Sequence, residues 1–482
     1  MHSCSCAGVI GDMRRNTSFL LAARLVSAIT TLVVLSVVSR LRGPDALGEV
    51  GLGLAVGAIA ATVADLGIAS LLIREASRDA GAARPLLRVG FLARLLTGPA
   101  LLAGTFAIGA LAGAREPQVV VLVAAGLMAQ QTAELTRSVF NAQQRMAISG
   151  GHAIIENLAW VVVVCGALAV GADLTTTFAL GLAVWLGSIA AGVVLVARYG
   201  SLPTGPTSGR AFSETLRLAL PFGAFSLTGI IYSRVDTVLL GLLLPTGGLA
   251  MAGAYFAAAR LIATFEYLPD ALSRAAYPEL SRLAIHDPAR VRAIVGSTAT
   301  QLLAIACLGP VLFVTGAGSL MTLLFGSALA DGGPILAALS FALPFRFLGY
   351  LFGMTLTSAD AQGRRVAASS VALLLVVAID VVGIPTVGVA AAVVGTLVAS
   401  VIIAALYAWS VSRRFGSTGL RPVATSGIVG AMVVAIAIGF ALTRIAPELV
   451  AAGVAGGAYL LAIALGYVRP VTGRTDHLPR IP

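Results

Sequence analysis

Apolar stretches of about twenty residues recur along the whole of this 482-residue chain, and short segments that carry most of its charge separate them. An α-helix rises about 1.5 Å per residue, so about 20 apolar residues cross a hydrocarbon core of about 30 Å. Hydrocarbon offers no water to the backbone, so each stretch must pair its N–H and C=O groups within a helix. With 58% hydrophobic residues and a mean hydropathy of +0.96, the sequence predicts a polytopic, all-α membrane protein.

The sequence predicts about fourteen transmembrane helices, an even number that places both termini on the same side of the membrane. The eleventh and twelfth spans are divided at Gly383–Pro385. The predicted spans are residues 17–39, 47–70, 86–112, 118–139, 153–171, 176–198, 219–243, 250–273, 293–314, 332–357, 367–383, 385–410, 423–443 and 447–468.

Positive charge alternates between the segments that separate these spans, and all of it is arginine because the chain has no lysine. Twenty-three of the 32 arginines lie in every second segment or at the ends of the spans that border it, Arg137 and Arg145 among them. The intervening segments hold only Arg40, Arg42, Arg115 and Arg444. The positive-inside rule therefore places both termini in the cytoplasm. The net charge of +11 is thus a signal of topology and does not indicate a nucleic-acid partner.

A Gly-, Pro- and Ser-rich segment divides the chain in the middle. The sequence predicts an N-lobe of helices 1–6 at residues 1–198, a cytoplasmic linker at 199–213 and a C-lobe of helices 7–12 at 214–410. Helices 13 and 14 and a cytoplasmic tail fill residues 411–482. The last two helices lie outside the six-plus-six pattern and are expected to face lipid.

The two predicted lobes are related by a weak internal repeat. A shift of 205 residues aligns Gly48 with Gly253 and Asp65 with Asp270, each pair within the second helix of its lobe. Because each lobe has an even number of helices, the two copies have the same orientation in the membrane. Such parallel repeats are typical of alternating-access transporters, which bind substrate near the midplane between the lobes.

Several short motifs resemble a known family. Ser-Arg-Leu-Arg-Gly-Pro at 39–44, Ala-Asp-Leu-Gly-Ile at 64–68, Asp-Thr-Val-Leu-Leu-Gly at 236–241, Tyr-Pro-Glu-Leu at 277–280 and Leu-Phe-Gly at 324–326 resemble bacterial polysaccharide flippases of the O-antigen type. That family belongs to the superfamily that also contains the MATE drug antiporters and the lipid II flippases. The resemblance implies a V-shaped, two-lobed bundle that carries a polyprenyl-diphosphate-linked oligosaccharide from the cytoplasmic to the outer leaflet.

Arginines deep within the spans are the candidate substrate-binding residues. Arg234, Arg260 and Arg346 lie about ten residues or more from either membrane face, and Arg24 lies two turns from the cytoplasmic face. An ionised side chain at a helix centre costs about 2.5–3.5 kcal/mol, so such groups face a cavity or the bundle interior. Guanidinium groups in a cavity would bind the diphosphate, since their fork of donors matches phosphate oxygens. The other interpretation is that each arginine pairs with a carboxylate and joins helices. Arg94 is expected to snorkel to the membrane surface.

Four acidic residues within the spans are candidates for ion coupling or gating: Asp65, Asp236, Glu266 and Asp270. Asp236 follows Arg234 by two residues and so points to a different side of its helix. Coupling to a proton or sodium ion and pairing with a distant arginine are both open for Asp236. Glu266 and Asp270 are four apart on one helix face and repel each other unless a cation intervenes. Asp65 and Asp270 are expected to act at an intracellular gate or in helix packing.

The sequence also argues against several other classes of protein. Without lysine, it has neither a Walker A phosphate loop nor a lysine Schiff base. His152 and Glu156 lack the second histidine of a zinc motif and are interpreted as a pair at a helix end. No metal or cofactor is therefore expected, and the outer segments are too short for a typical membrane glycosyltransferase or polymerase.

The expected partners are the lipid-linked glycan, membrane lipid, and the glycosyltransferases or polymerase of the same pathway. A MATE-type antiporter of cations or drugs, a lipid II flippase and a non-transporting scaffold remain open as alternatives. An antiporter would favour an acidic, aromatic-lined cavity, whereas the deep charges of this chain are mostly arginine.

Overall fold

Helices make up almost all of the described chain, and no β-strand occurs in it. The structure is a computed structural model that describes residues 6–200, 212–244 and 248–471. The chain divides into two compact units, Met1–Gly253 and Ala254–Pro482. The all-α architecture predicted from the sequence is confirmed.

The first unit contains seven helices and the start of an eighth among its described residues. They are α1 (Cys6–Asp65), α2 (Ile68–Ala76), α3 (Ala83–Leu111), α4 (Pro117–Ala142), α5 (Met146–Ala169), α6 (Leu174–Tyr199), α7 (Phe212–Leu243) and α8 (Gly248–Phe265), with a 3₁₀ turn at Ala80–Ala82 before α3. The helix α4 packs against α1, α2, α3, α5 and α6, so it lies at the centre of this unit.

The second unit contains the rest of α8 and eight further helices in its described residues. They are α9 (Tyr267–His286), α10 (Pro288–Phe325), α11 (Gly333–Ser340), α12 (Leu343–Ser358), α13 (Gln362–Val387), α14 (Val389–Phe415), α15 (Pro422–Leu442) and α16 (Glu448–Val471), with a 3₁₀ turn at Ser327–Gly332. Here α10 takes the central position, packed against α9, α11, α12, α14, α15 and α16.

The boundary between the compact units falls inside α8, about forty residues after the linker that the sequence predicts. The helix α7 packs within the first unit, although the sequence predicts it as the first helix of the C-lobe. Most of the predicted linker, residues 201–211, lies outside the described residues. The predicted lobe boundaries and the internal repeat remain predictions.

Twelve helices of the described chain are long and apolar enough to cross a membrane, or up to 13 if the bent pair Ser327–Ser340 and Leu343–Ser358 is one span. One of the twelve, Ala22–Asp65, has 44 residues, about twice the length that a bilayer requires. Gly43 interrupts it with φ 87° and ψ 179°, a conformation that glycine adopts without strain. The break divides this helix into two arms, each of the length of one span, while the predicted count of fourteen is not confirmed.

The turn between the predicted eleventh and twelfth spans lies five residues beyond its predicted start. The helix α13 continues through Pro385 and ends at Val387, and α14 starts at Val389. The turn is at Gly388, whose φ is 64°. A residue with positive φ is needed for this sharp reversal, and glycine supplies it at little steric cost. The division at Gly383–Pro385 was therefore wrong by a few residues.

Hydrogen bonds join the segments that the sequence predicts on the same side of the membrane. In the first unit, Arg42 donates to the carbonyl oxygens of Gly171 and Ala172, and Arg115 pairs with Asp45 at 2.7 Å. These bonds connect three predicted outer segments.

The carboxylate of Glu49 adds to this outer connection by accepting the backbone N–H groups of Arg115 at 2.6 Å and Glu116 at 3.3 Å. Asp173 caps α6 at the same end, and hydrogen bonds from Thr176 lower the pKa of the Asp173 carboxyl below its ordinary range.

Predicted inner segments also meet one another within each unit. In the first unit, Gln143 donates to the carbonyl oxygen of Gly200 and Arg145 to that of Tyr199. In the second unit, Arg292 donates to the carbonyl oxygen of Phe415 at 3.2 Å. These bonds connect segments that the sequence predicts on the same side, and the orientation of the helices in the membrane remains a prediction.

A close helix crossing in the first unit brings α1 against α8. A Cβ on Gly48 would lie 2.0 Å from the Leu249 carbonyl oxygen, and a Cβ on Gly253 would lie 2.8 Å from the Gly48 nitrogen. Neither contact leaves room for a methyl group, because the opposing atoms belong to the backbone. Gly48 and Gly253, which the sequence pairs by the shift of 205, thus lie against each other.

Replacing Gly48 by Ala should lower the thermal stability of the purified protein, because the added methyl group forces the two backbones apart. We expect a cost of about 1–3 kcal/mol, typical of overpacking. The midpoint of thermal unfolding in detergent measures it. The control is Gly104→Ala in α3, where a Cβ would meet nothing within 4 Å. Equal midpoints for Gly48→Ala and wild type would contradict the tight crossing.

Candidate functional site

Asp65 ends α1 and holds the start of the next helix. Leu66 and Gly67 follow with φ of 50° and 82°, which breaks the helix before α2. The Asp65 carboxylate accepts the backbone N–H groups of Gly67 at 3.1 Å and Ala69 at 3.3 Å. It also pairs with Arg94 of α3, so one carboxylate joins three helices. This arrangement supports a packing role for Asp65, and its action at a gate remains a prediction.

The prediction that Arg94 snorkels to the membrane surface is wrong. Its side chain is only 7% exposed, and Nη1 donates to the Gly90 carbonyl oxygen at 3.0 Å while Nη2 pairs with Asp65. The Asp65 carboxylate on the neighbouring helix compensates the charge of Arg94, so the side chain need not extend to water. The sequence could not identify this partner, because 29 residues separate the two side chains.

A second set of polar side chains is buried between α4, α5 and α6. Arg137 of α4 donates from Nη1 to Oε1 of Glu156 on α5, and Ser188 of α6 donates to Oε2 of the same carboxylate. Nε2 of His152, one turn before Glu156, lies 3.1 Å from the Ser188 hydroxyl oxygen. We call Arg137, His152, Glu156 and Ser188 the polar cluster. His152 and Glu156 are therefore more than a pair at a helix end.

The helices around the polar cluster approach one another closely. A Cβ on Gly192 of α6 would lie 2.2 Å from the Thr136 hydroxyl oxygen of α4 and 3.3 Å from Cε1 of His152. Trp160 and Trp185 pack together nearby, with ring centroids 5.9 Å apart. The sequence suggested that Arg137 lies in a cytoplasmic segment, whereas its side chain is 8% exposed and that of Glu156 is 2% exposed.

The remaining candidates of the first unit lie on α1 and α7. Arg24 is exposed on α1. Arg234 of α7 is half-buried, and Asp236, two residues later, is buried. The different burial of the two side chains agrees with the expectation that they point to different sides of the helix. Substrate binding by Arg24 and Arg234 and ion coupling by Asp236 remain predictions.

In the second unit, Glu266 lies between α8 and α9 and forms an ion pair with an arginine. Arg346 of α12 donates from Nη1 to Oε1 of Glu266, and the Tyr350 hydroxyl donates to Oε2 at 3.0 Å. Nε of Arg346 donates to the Ser400 hydroxyl oxygen of α14 at 3.3 Å. Of the two interpretations for Arg346, pairing describes this structure. Arg346 thus supplies the cation for Glu266, and gating or ion coupling by Glu266 and Asp270 remains a prediction.

Arg260 of α8 differs from the other deep arginines. Its Nε atom is buried and has no hydrogen-bond partner among the residues that the structure describes. Across the same residues, no carboxylate pairs with its guanidinium group. Arg346 has a carboxylate and a hydroxyl as partners, whereas no described residue accepts a hydrogen bond from Arg260. A site that binds phosphate requires such donors.

Asp380 is a buried carboxylate that is absent from the residues predicted from the sequence. It lies two turns before the end of α13 with 0% exposure, and a Cβ on Gly395 of α14 would lie 2.9 Å from its Oδ1. The signal was available, since Asp380 lies within the predicted span 367–383 and ionisable residues inside spans are candidates by default.

The fold is similar to that of several solved membrane transporters. The lipid II flippase MurJ, in an inward closed conformation, matches with a TM-score of 0.72 at 13% identity, over 94% of this chain and 99% of that chain. The MATE transporter VcmN from Vibrio cholerae matches with a TM-score of 0.56 at 15% identity, over 85% of this chain and 97% of that chain. A transporter of the MOP superfamily from Pyrococcus furiosus matches with a TM-score of 0.55 at 13% identity, over 84% of this chain and 96% of that chain. At these identities the likeness establishes the fold.

The family is established by sequence. The family described as polysaccharide biosynthesis protein matches residues 13–284, more than half of the chain, and the chain belongs to it. The matched range contains four of the five motifs that suggested the family. No curated protein sequence matches the chain significantly. The protein is thus a multi-pass membrane protein with the fold of the MurJ and MATE transporters.

Replacing Arg94 by Ala should destabilise the protein, because it leaves the Asp65 carboxylate without its cation in a largely buried position. We expect a loss of about 3–5 kcal/mol, typical of breaking a buried ion pair. The measurement is the midpoint of thermal unfolding in detergent. Arg115→Ala is the matched control, since Arg115 and Asp45 are 79% and 36% exposed and such pairs contribute about 0–1 kcal/mol. Similar losses in both variants would contradict the assignment.

Proposed function

We propose that this protein is a flippase that moves a polyprenyl-diphosphate-linked oligosaccharide from the cytoplasmic to the outer leaflet by alternating access. The glycan then serves the synthesis of cell-surface polysaccharide. Membership of the polysaccharide biosynthesis family and the fold of the MurJ and MATE transporters support this proposal. The known proteins named here with this fold are transporters and flippases, which favours transport over catalysis.

The observation that carries the proposal is the guanidinium group of Arg260 in a membrane-spanning helix, with no partner among the described residues. A charge in this position costs free energy, and an internal ion pair does not offset the cost. A diphosphate that enters the membrane with its lipid tail supplies two anionic groups for the guanidinium fork. The sugar head would lie near the diphosphate while the prenyl chain stays in lipid.

Export should therefore depend on Arg260 although the fold does not. We expect Arg260→Ala to lower cell-surface glycan by about tenfold to 100-fold, since a hydrogen bond to a charged group contributes about 1.5–3 kcal/mol. The amount of protein in the membrane should stay unchanged, because no described partner loses a bond. Immunoblots of membranes and quantification of surface glycan measure the two effects.

Arg346→Ala is the contrasting variant, because it deprives Glu266 of its cation and should lower the amount of folded protein. Arg260→Lys keeps the charge but loses the fork of donors, so it should export less than wild type and more than Arg260→Ala. If surface glycan stays normal in Arg260→Ala at normal protein levels, Arg260 does not bind the substrate.

A lipid II flippase is the second candidate, and the match to MurJ over 94% of the chain favours it. The two candidates differ in the sugar on the carrier lipid. Purified protein in liposomes distinguishes them, with the lipid-linked precursor of the surface polysaccharide and lipid II supplied in separate samples. Flipping of lipid II alone would replace the leading proposal. The partners that we propose are the glycosyltransferases that build the glycan and the polymerase that consumes it.

The proposed direction of transport requires both termini in the cytoplasm. We expect green fluorescent protein fused after Pro482 to fluoresce and alkaline phosphatase fused there to be inactive, because the arginine-rich segments stay inside. Asp173 lies in a predicted outer segment. In fusions truncated after Asp173, the phosphatase should be active and the green fluorescent protein should not fluoresce. Active phosphatase at the C-terminus would reverse the orientation and with it the direction of the proposed transport.

A further inference from the structure

We propose that the polar cluster of Arg137, His152, Glu156 and Ser188 is a proton-binding site, in which His152 receives the proton, Ser188 relays it and Glu156 holds it. The ligand is therefore a proton from water, and the site lies wholly within the first unit. The link from this site to transport rests on the proposed function, whereas proton binding itself does not.

The hydrogen bonds of Ser188 set the direction of the relay. Its single hydroxyl proton is donated to Oε2 of Glu156, so its oxygen can only accept from Nε2 of His152, 3.1 Å away. His152 must therefore carry a proton on Nε2, and a second proton enters on Nδ1. Three side chains on two helices thus form a continuous chain of donors and acceptors.

Burial decreases from one end of this chain to the other. The Glu156 side chain is 2% exposed and Ser188 is buried, whereas His152 is half-buried two turns after the start of α5. His152 is thus the member through which a proton from water enters.

The transfer conserves protons and charge. The Nε2–H bond of the His152 imidazolium breaks as the Ser188 oxygen takes that proton, and the former Ser188 O–H proton forms a new O–H bond on Oε2 of Glu156. The imidazolium and the carboxylate become a neutral imidazole and a neutral carboxylic acid. No co-reactant other than the incoming proton is needed.

Protonation of Glu156 removes the negative charge that compensates Arg137. The ion pair between α4 and α5 becomes a hydrogen bond to a neutral acid, and a buried guanidinium without its counter-ion is costly. A proton therefore weakens the connection between these helices. Because α4 lies at the centre of the first unit, loosening it affects every helix packed on it.

Other charged groups on the helices around α5 are few in the described chain. Glu134, exposed on α4, repels the negative charge of Glu156. The backbone of Phe19 on α1 lies against Gly150 of α5. Arg24, five residues after Phe19, is exposed. Arg198 is exposed at the far end of α6. None of these is a member of the hydrogen-bonded chain, so Glu156 is the proton acceptor within it.

Two tryptophans provide a built-in reporter. Trp160 lies one turn after Glu156, Trp185 lies three residues before Ser188, and their rings are in contact. The chain has three tryptophans, so Trp409→Phe leaves only this pair. In that background, acidification of the purified protein in nanodiscs from about pH 8 to about pH 5 should change the tryptophan emission along a single titration curve.

Infrared difference spectra of the same samples identify the group that titrates. We expect a carboxylic-acid C=O band to appear on acidification, to be absent in Glu156→Gln and to persist in Glu134→Gln, the matched control. His152→Gln keeps a donor to Ser188 but cannot be protonated, so the band should appear at least about tenfold more slowly after a pH jump. Ser188→Ala should slow the appearance of the band by a similar factor. This variant leaves the pair of Arg137 and Glu156 intact, so it tests the relay even if Glu156→Gln does not fold.

Persistence of the acid band in Glu156→Gln, or its removal by Glu134→Gln, would overturn the proposal. Unchanged rates in both His152→Gln and Ser188→Ala would overturn the relay. Liposomes with an imposed pH gradient then test the link to transport with a lipid-linked oligosaccharide. If wild type does not transport this substrate while the band behaves as expected, the proposed function fails and the proton site stands. If wild type transports regardless of the gradient and no band forms, the proton site fails alone.

Discussion

The high free energy of an ionised side chain in hydrocarbon governs how this chain packs its charges. A buried charge is costly unless it has a partner, and in three described pairs the partner comes from another helix. Asp65 joins Arg94 across α1 and α3, Glu156 joins Arg137 across α4 and α5, and Arg346 of α12 joins Glu266. These pairs connect helices whose apolar surfaces alone would distinguish little between protein and lipid.

Close helix packing makes these pairs geometrically possible. The side chains of the polar cluster reach one another because α6 approaches α4 at Gly192, where a larger residue would collide with Thr136. The α1–α8 crossing at Gly48 and the turn at Gly388 likewise depend on the missing side chain or on a positive φ. The buried side chains therefore find their hydrogen-bond and ion-pair partners only because small residues let the helices approach closely.

The arginines of the spans fall into two groups, those that pair with a carboxylate and those that do not. Arg94, Arg137 and Arg346 are held by carboxylates, and their removal affects stability first. Arg260 has no such partner among the described residues, which is why it carries the proposal for substrate binding. In the sequence these four arginines differ only in their depth within the predicted spans, and Arg137 lies at the predicted cytoplasmic end of its span.

The sequence by itself determined the all-helical membrane fold and the family, because hydrophobic length and short motifs are local properties of a chain. It also identified Asp65, Arg260, Glu266 and Arg346 as candidates by their position within spans. Only the tertiary structure decided which charges meet, which left Arg94 buried and brought His152, Glu156, Ser188 and Arg137 together. Such contacts join residues tens of positions apart, and they depend on how helices pack, which no local pattern records.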